Sequence, residues 1–319
     1  MTRTRVYRDG RLEREDFPAA EVSDYLGQPD TVVWLDVCSA DDGALHLVAE
    51  ELGLDPLAVE DAVHRRQRAK VDQYAGHLFV TVYTTRLDEP TGALQAHELS
   101  LFVTAQALVT VRDRDVDPDR LAQRWDAGGP VHRVGTLLHG LLDVVVDGHF
   151  EVVQHLDEEV EAIEDLLFAE RPDRETQRRT YALRKNLVQL RRVVLPMREV
   201  LNTLLRRDLD VVDASLRAGY QDVYDHVLRA AEWTEGLRDM VTTLFETHLA
   251  MQDHRLNTVM KQLTAWAAII AVPTAVTGYF GQNVPFPGDG RPAGFWLSLT
   301  LIAGGATALW LVFRRKGWI

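Results

Sequence analysis

The alternation of apolar and polar positions divides the chain into three regimes. Through about residue 125, short apolar runs are separated by polar punctuation. Residues 31–37 (TVVWLDV) and 77–87 (HLFVTVYTTRL) are rich in β-branched and aromatic side chains and predict strands. Residues 98–113 (ELSLFVTAQALVTVRD) predict two strands around a turn at Ala105-Gln106-Ala107. Between the first two strands, DDGALHLVAEELGLDPLAVEDAVH predicts a helix stopped at Gly53 and a second helix opening near Pro56. Gly128-Gly129-Pro130 marks the edge of this region. From Val134 onward the helical period is nearly unbroken. An acidic segment (HFEVVQHLDEEVEAIEDLLFAE) is followed by a break at Arg171-Pro172-Asp173 and then by a basic segment (ETQRRTYALRKNLVQLRRVVLPMREVLNTLLRR). Two helices of opposite sign joined by a short turn are expected to lie antiparallel with complementary charge along the seam. Each exposed ion pair there is worth only ~0–1 kcal/mol.

A third helical stretch begins near Gln221 and meets no proline before Pro273. Continuous to Phe280, it would hold about 60 residues and run roughly 90 Å, the length of a stalk and not of a globular-domain helix. Its last part, residues 263–280 (LTAWAAIIAVPTAVTGYF), carries no charge, nor do residues 295–313 (FWLSLTLIAGGATALWLVF). Each run approaches the ~20 residues that cross a bilayer core, so both predict transmembrane helices.

Composition narrows the function. Mean hydropathy is −0.15, an average that hides the two terminal spans. Lys plus Arg is 35 against 48 for Asp plus Glu, a net charge of −13. That balance argues against a nucleic-acid partner and favours attraction of cations. Cys38 is the one cysteine, so neither an internal disulfide nor a thiolate metal cluster is available. The opening stretch MTRTRVYRDGRLERED has no apolar core, and no signal peptide is expected. P-loop, His-Glu-x-x-His and Gly-x-Ser-x-Gly patterns are absent, and the His97-Glu98 pair lies in a predicted strand, so neither an ATP-driven pump nor a hydrolase is indicated.

Flanking charge orients the spans. Arg255 and Lys261 precede the first, and Arg314, Arg315 and Lys316 form a basic collar after the second. The connecting segment holds only Asp289 and Arg291. Both chain ends are therefore expected on the cytoplasmic side of the inner membrane. Along the first span, Asn257, Met260, Thr264, Ala267, Ala271, Thr274, Gly278 and Gly281 recur at spacings of three and four, one small or weakly polar face. Such a face suits close packing between membrane helices. Asn257 and Asn283 at its two ends add amide oxygens that suit a passing cation. Mg²⁺ sheds water reluctantly, so carbonyls, amides and hydroxyls would handle it hydrated. One chain supplies one such face, and a closed conduit requires several copies around an axis.

The stretch VTGYFGQNVP closing the first span, the tail RRKGWI, and the segments DPLAVEDAVHRRQRAKVD, LRKNLVQLRRVVLPMREVL, DVYDH and LNTVMKQLT together resemble the CorA-type magnesium transport channels over nearly the whole chain. The resemblance implies an α+β cytoplasmic domain (residues 1–127), a helical funnel with a long stalk helix (128–262), two transmembrane helices with a short outer loop (263–313) and a basic cytoplasmic tail (314–319), predominantly helical overall. It implies a homopentamer in the lipid bilayer, with no covalent cofactor and with Mg²⁺ as both transported and regulatory ion. Asn283 matches the signature asparagine at the mouth, flanked by Gly281 and Gln282. Asn257, Thr274 and Gly278 match pore positions, and Met260 and Leu263 match the hydrophobic constriction. Asp61, with Glu60 beside it, and Asp222 match carboxylates that share regulatory Mg²⁺ between adjacent subunits. Two positions depart from the family pattern: Gln282 stands where the signature has methionine, and the small Ala271 stands at a second gate position. Relatives of the same architecture move zinc, and the Asp222/His226 spacing of one helical turn is compatible with that metal.

Overall fold

The computed structural model describes residues 2–38, 42–64, 67–167, 174–206, 209, 211–282 and 290–319. The chain divides into two compact units, Met1–Thr242 and Thr243–Ile319.

The first unit is built on a seven-stranded sheet: β1 (Arg3–Arg8), β2 (Arg11–Glu15), β3 (Thr31–Cys38), β4 (Lys70–Gln73), β5 (Leu78–Leu87), β6 (Leu94–Val103) and β7 (Ala107–Arg112). Their spatial order is β2-β1-β3-β7-β6-β5-β4, with β3 and β7 parallel and every other neighbouring pair antiparallel. β3 and β7 are buried at every position, as central strands covered on both faces must be. Their valine- and leucine-rich sequences supply apolar side chains to both sides.

Helices cover the two faces. α1 (Asp42–Leu52) and α2 (Pro56–His64) close one core around Val33, Leu35, Phe79, Phe102 and Val109. α3 (Pro118–Ala127), α4 (Val134–Leu167), α5 (Arg174–Arg206) and the start of α6 (Arg217–Phe280) close the other, around Trp34, Leu101, Leu137, Leu141 and Tyr220. In the latter core Trp34 meets Trp125 edge-on at 4.7 Å. The Trp34 indole donates to Thr110 Oγ1 (3.2 Å), and that of Trp125 donates to the Leu137 carbonyl (3.0 Å). Both ring nitrogens are thus satisfied where no water reaches.

β1 is a strand despite the charged sequence RTRVYR. Its Arg5 is buried, and the guanidinium is held between Glu15 on β2 and Asp126 on α3. The expected seam of opposite charge between α4 and α5 is narrower than the sequence indicates. Arg179 grips Glu159 with two bonds of 2.9 and 3.0 Å, but Arg191 turns instead to Glu235 on α6. The helices are held mainly by leucines and valines such as Leu156, Val160, Leu187 and Leu190. The predicted break at Arg171-Pro172-Asp173 lies outside the described residues.

The second unit comprises the remainder of α6 and α7 (Pro292–Arg315). Both helices are long and apolar enough to cross a membrane. They meet at small residues. A Cβ placed on Gly305 would lie 2.9 Å from Val272 Cγ1, so glycine allows this close approach. The end of α7 is a Schellman turn. The Trp318 N–H donates to the Phe313 carbonyl (2.9 Å), that of Gly317 donates to Arg314 (3.1 Å), and Gly317 has φ +67°. The Trp318 and Phe313 rings stack at 5.4 Å, the apolar contact that accompanies this motif.

Candidate ion pathway and carboxylate sites

The stripe anticipated in the first span lies along α6. Asn257, Met260, Thr264, Ala267, Ala271, Thr274, Gly278 and Gly281 are all exposed. The covered positions of the same segment are Ala265, Ala268, Ile269, Val272, Pro273, Val276 and Phe280. At 3.6 residues per turn the two sets point roughly 150° apart. Val272, which meets Gly305 of α7, belongs to the covered set. The chain therefore packs its hairpin with one face of α6 and leaves the small, weakly polar face exposed among the described residues.

Hydroxyls on this helix are oriented by the backbone. Thr264 Oγ1 donates to the Met260 carbonyl (2.8 Å) and Thr274 Oγ1 to Ile270 (3.1 Å). With the proton used inward, each oxygen offers its lone pairs outward, to water or to a hydrated cation. Pro273 removes one backbone donor from the ladder, and Thr277 Oγ1 donates to the Pro273 carbonyl (2.8 Å). The helix closes with Gly281 N–H on Thr277 O (2.8 Å) and Gln282 N–H on Tyr279 O (3.3 Å). Met260 and Leu263 are exposed where the apolar run of α6 begins. Asn283 lies outside the described residues. Arg314, Arg315 and Lys316 are exposed at the end of α7, with Arg314 over the Trp310 ring at 5.0 Å.

The carboxylates anticipated as a regulatory pair do not meet within one chain. Asp61 is on α2, which packs on one face of the sheet. Asp222 is exposed on α6, whose Tyr220, Val223 and Val227 pack on the opposite face. An ion bound to both would therefore need two copies. Asp61 also has a resident partner: Lys70 Nζ bridges it (2.8 Å) to Asp72 (2.7 Å), and Gln67 Nε2 donates to it at 3.2 Å. Burial works against the Lys70 ammonium, but the two carboxylates outweigh it and hold its pKa above the usual lysine value. Glu60 is exposed, and its carbonyl contacts His64 Nδ1 (3.0 Å).

One grouping is not visible from the sequence. Asp143 and Asp147, one turn apart on α4, face His226 of α6, with a ligand atom from each within 4.8 Å of the others. His226 is thus joined by α4 carboxylates in addition to its helical neighbour Asp222. Desolvation and the Asp143 charge raise the pKa of Asp147, against the attraction of His226 and Arg120. Asp143 is engaged by Arg124, whose Nε donates at 2.8 Å. The DVVVD spacing puts two carboxylates on one helical face, but the imidazole comes from a distant helix that only the fold brings close.

The comparisons with known proteins agree with this arrangement of α/β unit, long helix and two apolar helices. The model of the CorA-like Mg²⁺ transporter protein family matches residues 29–315. The cobalt/magnesium transport protein CorA of Thermotoga maritima is 30% identical over 96% of this chain and 90% of its own length. A zinc transport protein, ZntB of Pectobacterium carotovorum, is 25% identical over 79% of this chain and 77% of its own. Among solved structures, the complete CorA magnesium transporter from Methanocaldococcus jannaschii superposes with a TM-score of 0.84 at 21% identity, covering 100% of this chain and 99% of that one. The chain belongs to the CorA-like Mg²⁺ transporter family and is a divalent-cation transporter of the membrane, not an enzyme.

Proposed function

We propose that the protein is a channel for divalent cations, Mg²⁺ foremost, assembled as a homopentamer whose α6 helices surround a water-filled passage in the inner membrane. The observation that carries this reading is the division of α6 into two faces. The face with Val272 is used against α7, and the opposite face, from Asn257 to Gly281, is exposed, mostly small and carries the Thr264 and Thr274 hydroxyls. Packing within the chain has no use for the second face, and several copies around an axis would line a conduit with it. Asn283, Gln282 and Gly281 form the outer mouth, Thr274 and Gly278 the lining, Met260 and Leu263 the constriction, and Asn257 the inner end. Both chain ends are cytoplasmic, and influx follows the electrochemical gradient. Residues 1–127 and 128–262 form the cytoplasmic body and funnel, 263–313 the membrane hairpin, and 314–319 the basic tail.

Closure is assigned to cytoplasmic Mg²⁺ shared between Asp61, with Glu60 beside it, of one copy and Asp222 of the next. The placement of Asp61 and Asp222 on opposite faces of the sheet supports a shared site between copies. The test is Mg²⁺ influx into proteoliposomes at controlled voltage. Asn283→Ala and Asn257→Ala are each expected to lower influx by about tenfold, a change of ~1.4 kcal/mol. Unchanged influx removes the pathway assignment. Alanine at both Asp61 and Asp222 is expected to abolish closure by internal Mg²⁺, and retained closure removes the sensing assignment.

A second reading, zinc transport, draws on the Asp143/Asp147/His226 group, because imidazole with carboxylates suits Zn²⁺ better than Mg²⁺. Parallel uptake of Mg²⁺, Co²⁺, Ni²⁺ and Zn²⁺, with and without a pH gradient, separates the two.

A further inference from the structure

We propose that the α6–α7 hairpin carries a binding site for the phosphate headgroup of an anionic phospholipid, formed by Lys261, Arg314, Arg315 and Lys316. The contact between Val272 and Gly305 falls near the middle of both apolar runs. Two successive helices that each cross the same bilayer run in opposite directions, so residues equally far from that contact stand at equal height. Lys261 is eleven residues before Val272 and Lys316 is eleven residues after Gly305. At ~1.5 Å per residue both lie about 16 Å from the contact. Half of a bilayer's hydrocarbon core is about 15 Å. The four cations therefore stand where the lipid phosphates stand, in the leaflet facing the chain ends.

Charge on the chain leaves this position for an anion from outside. From residue 254 to the end of the sequence the one acidic side chain is Asp289, in the segment that connects the two spans. All four cations are exposed. The tail that carries three of them is also set by local structure. The Schellman turn at Gly317 folds Trp318 back onto Phe313, and Arg314 lies over the Trp310 ring at 5.0 Å. Indole rings at this depth prefer the interface, and the tail is held there instead of trailing into water. Apolar side chains such as Leu311 and Phe313 lie directly beside the cations on the membrane side, where the acyl chains of a bound lipid would run. That continuity selects a lipid headgroup over soluble phosphate.

The test uses the full-length protein in phosphatidylcholine vesicles with traces of spin-labelled phosphatidylglycerol or spin-labelled phosphatidylcholine, read by the motionally restricted component in electron paramagnetic resonance. Phosphatidylglycerol is expected to be selected by about threefold or more at low ionic strength, with the preference lost near ~1 M salt. Replacing all three tail cations, Arg314→Gln with Arg315→Gln and Lys316→Gln, is expected to remove the preference, and Lys261→Gln to reduce it. Equal selection of the two lipids by the unaltered protein, or selection unchanged in the triple variant, overturns the proposal. Loss of the preference on adding inorganic phosphate at constant low ionic strength, where an equivalent amount of chloride leaves it intact, also overturns it, by assigning the cations to a soluble anion. Circular dichroism checks that the triple variant is folded. If it is not, the lipid ratio of the unaltered protein and its salt dependence decide alone. The outcome is independent of ion flux, so it stands apart from the channel reading.

Discussion

The two units solve the burial problem in opposite ways. In Met1–Thr242 the sheet is closed on both faces by helices of the same chain, and side chains as large as Trp34, Phe79 and Phe102 are fully buried. In Thr243–Ile319, Gly294 is the one buried residue of α7, and the stripe of α6 is exposed along its length. Apolar side chains such as Leu263, Ile270, Trp296 and Leu299 explain part of that exposure, since lipid covers them. Lipid does not suit the Asn257 amide, for which polar partners must come from water, headgroups or other copies, while the Thr264 and Thr274 hydroxyls already donate to their own helix. The first unit thus carries its own stability. The second is completed by its surroundings.

The largest effect should come from breaking the first unit's core. Trp34→Ala removes a buried ring, its contact with Trp125 and its hydrogen bond to Thr110. A loss of about 3–5 kcal/mol is expected in chemical unfolding followed by circular dichroism. Met260→Ala, a truncation of similar character on the exposed stripe, should change unfolding by less than about 0.5 kcal/mol while altering Mg²⁺ flux. Equal destabilisation by the two would refute the division drawn above.

Next in size is an acid sensitivity belonging to the first unit. His149 of α4 is fully buried, and its Nε2 lies 2.9 Å from the Tyr83 carbonyl. Burial pulls its pKa down from 6.5 to about 4, against the raising effect of that carbonyl. The folded state therefore disfavours the imidazolium, and the unfolded chain takes up the proton first as pH falls. This contribution to stability is complete above about pH 6.5, declines between pH 6.5 and 4, and is constant below. Its full extent is about 3 kcal/mol. The difference in stability between the unaltered protein and His149→Leu, measured from pH 7.5 to 4, should shrink by that order. A difference independent of pH would show that His149 is not the group responsible.

Legibility from sequence divides along the same line. β3, β5, β6 and β7 were readable because β-branched runs bounded by turn residues have few other conformations open to them. β1 was hidden by its arginines, and nothing local reveals that Arg5 is neutralised by Asp126, far along the chain. β4 is only four residues long and gains its place from pairing with β5. The stripe of α6 was legible because one helix carries all of it, and periodicity along a single helix is a property of sequence. The Asp143/Asp147/His226 group was not, since α4 and α6 must first pack on the same face of the sheet. The Lys70 bridge over Asp61 and Asp72 was hidden for the same reason: α2 and β4 have to meet before it exists.

That bridge supplies the smallest and most discriminating prediction. A cation arriving at Asp61 must displace an ammonium held by two carboxylates, so under the proposed sensing role Lys70 would compete with the ion. Lys70→Met keeps much of the side chain's apolar length and removes the charge. Asp61 and Asp72 would then face one another's charge without compensation, and a divalent cation relieves that repulsion. Closure should occur at about three- to tenfold lower internal Mg²⁺, equivalent to ~0.7–1.4 kcal/mol in ion affinity. Flux through the open state should be unchanged, because Lys70 belongs to the first unit and the proposed conduit to the second. A shift toward higher internal Mg²⁺ would mean that Lys70 holds Asp61 in the geometry the ion requires. An unchanged threshold would place the sensing carboxylates elsewhere, with Asp143, Asp147 and His226 the next to test.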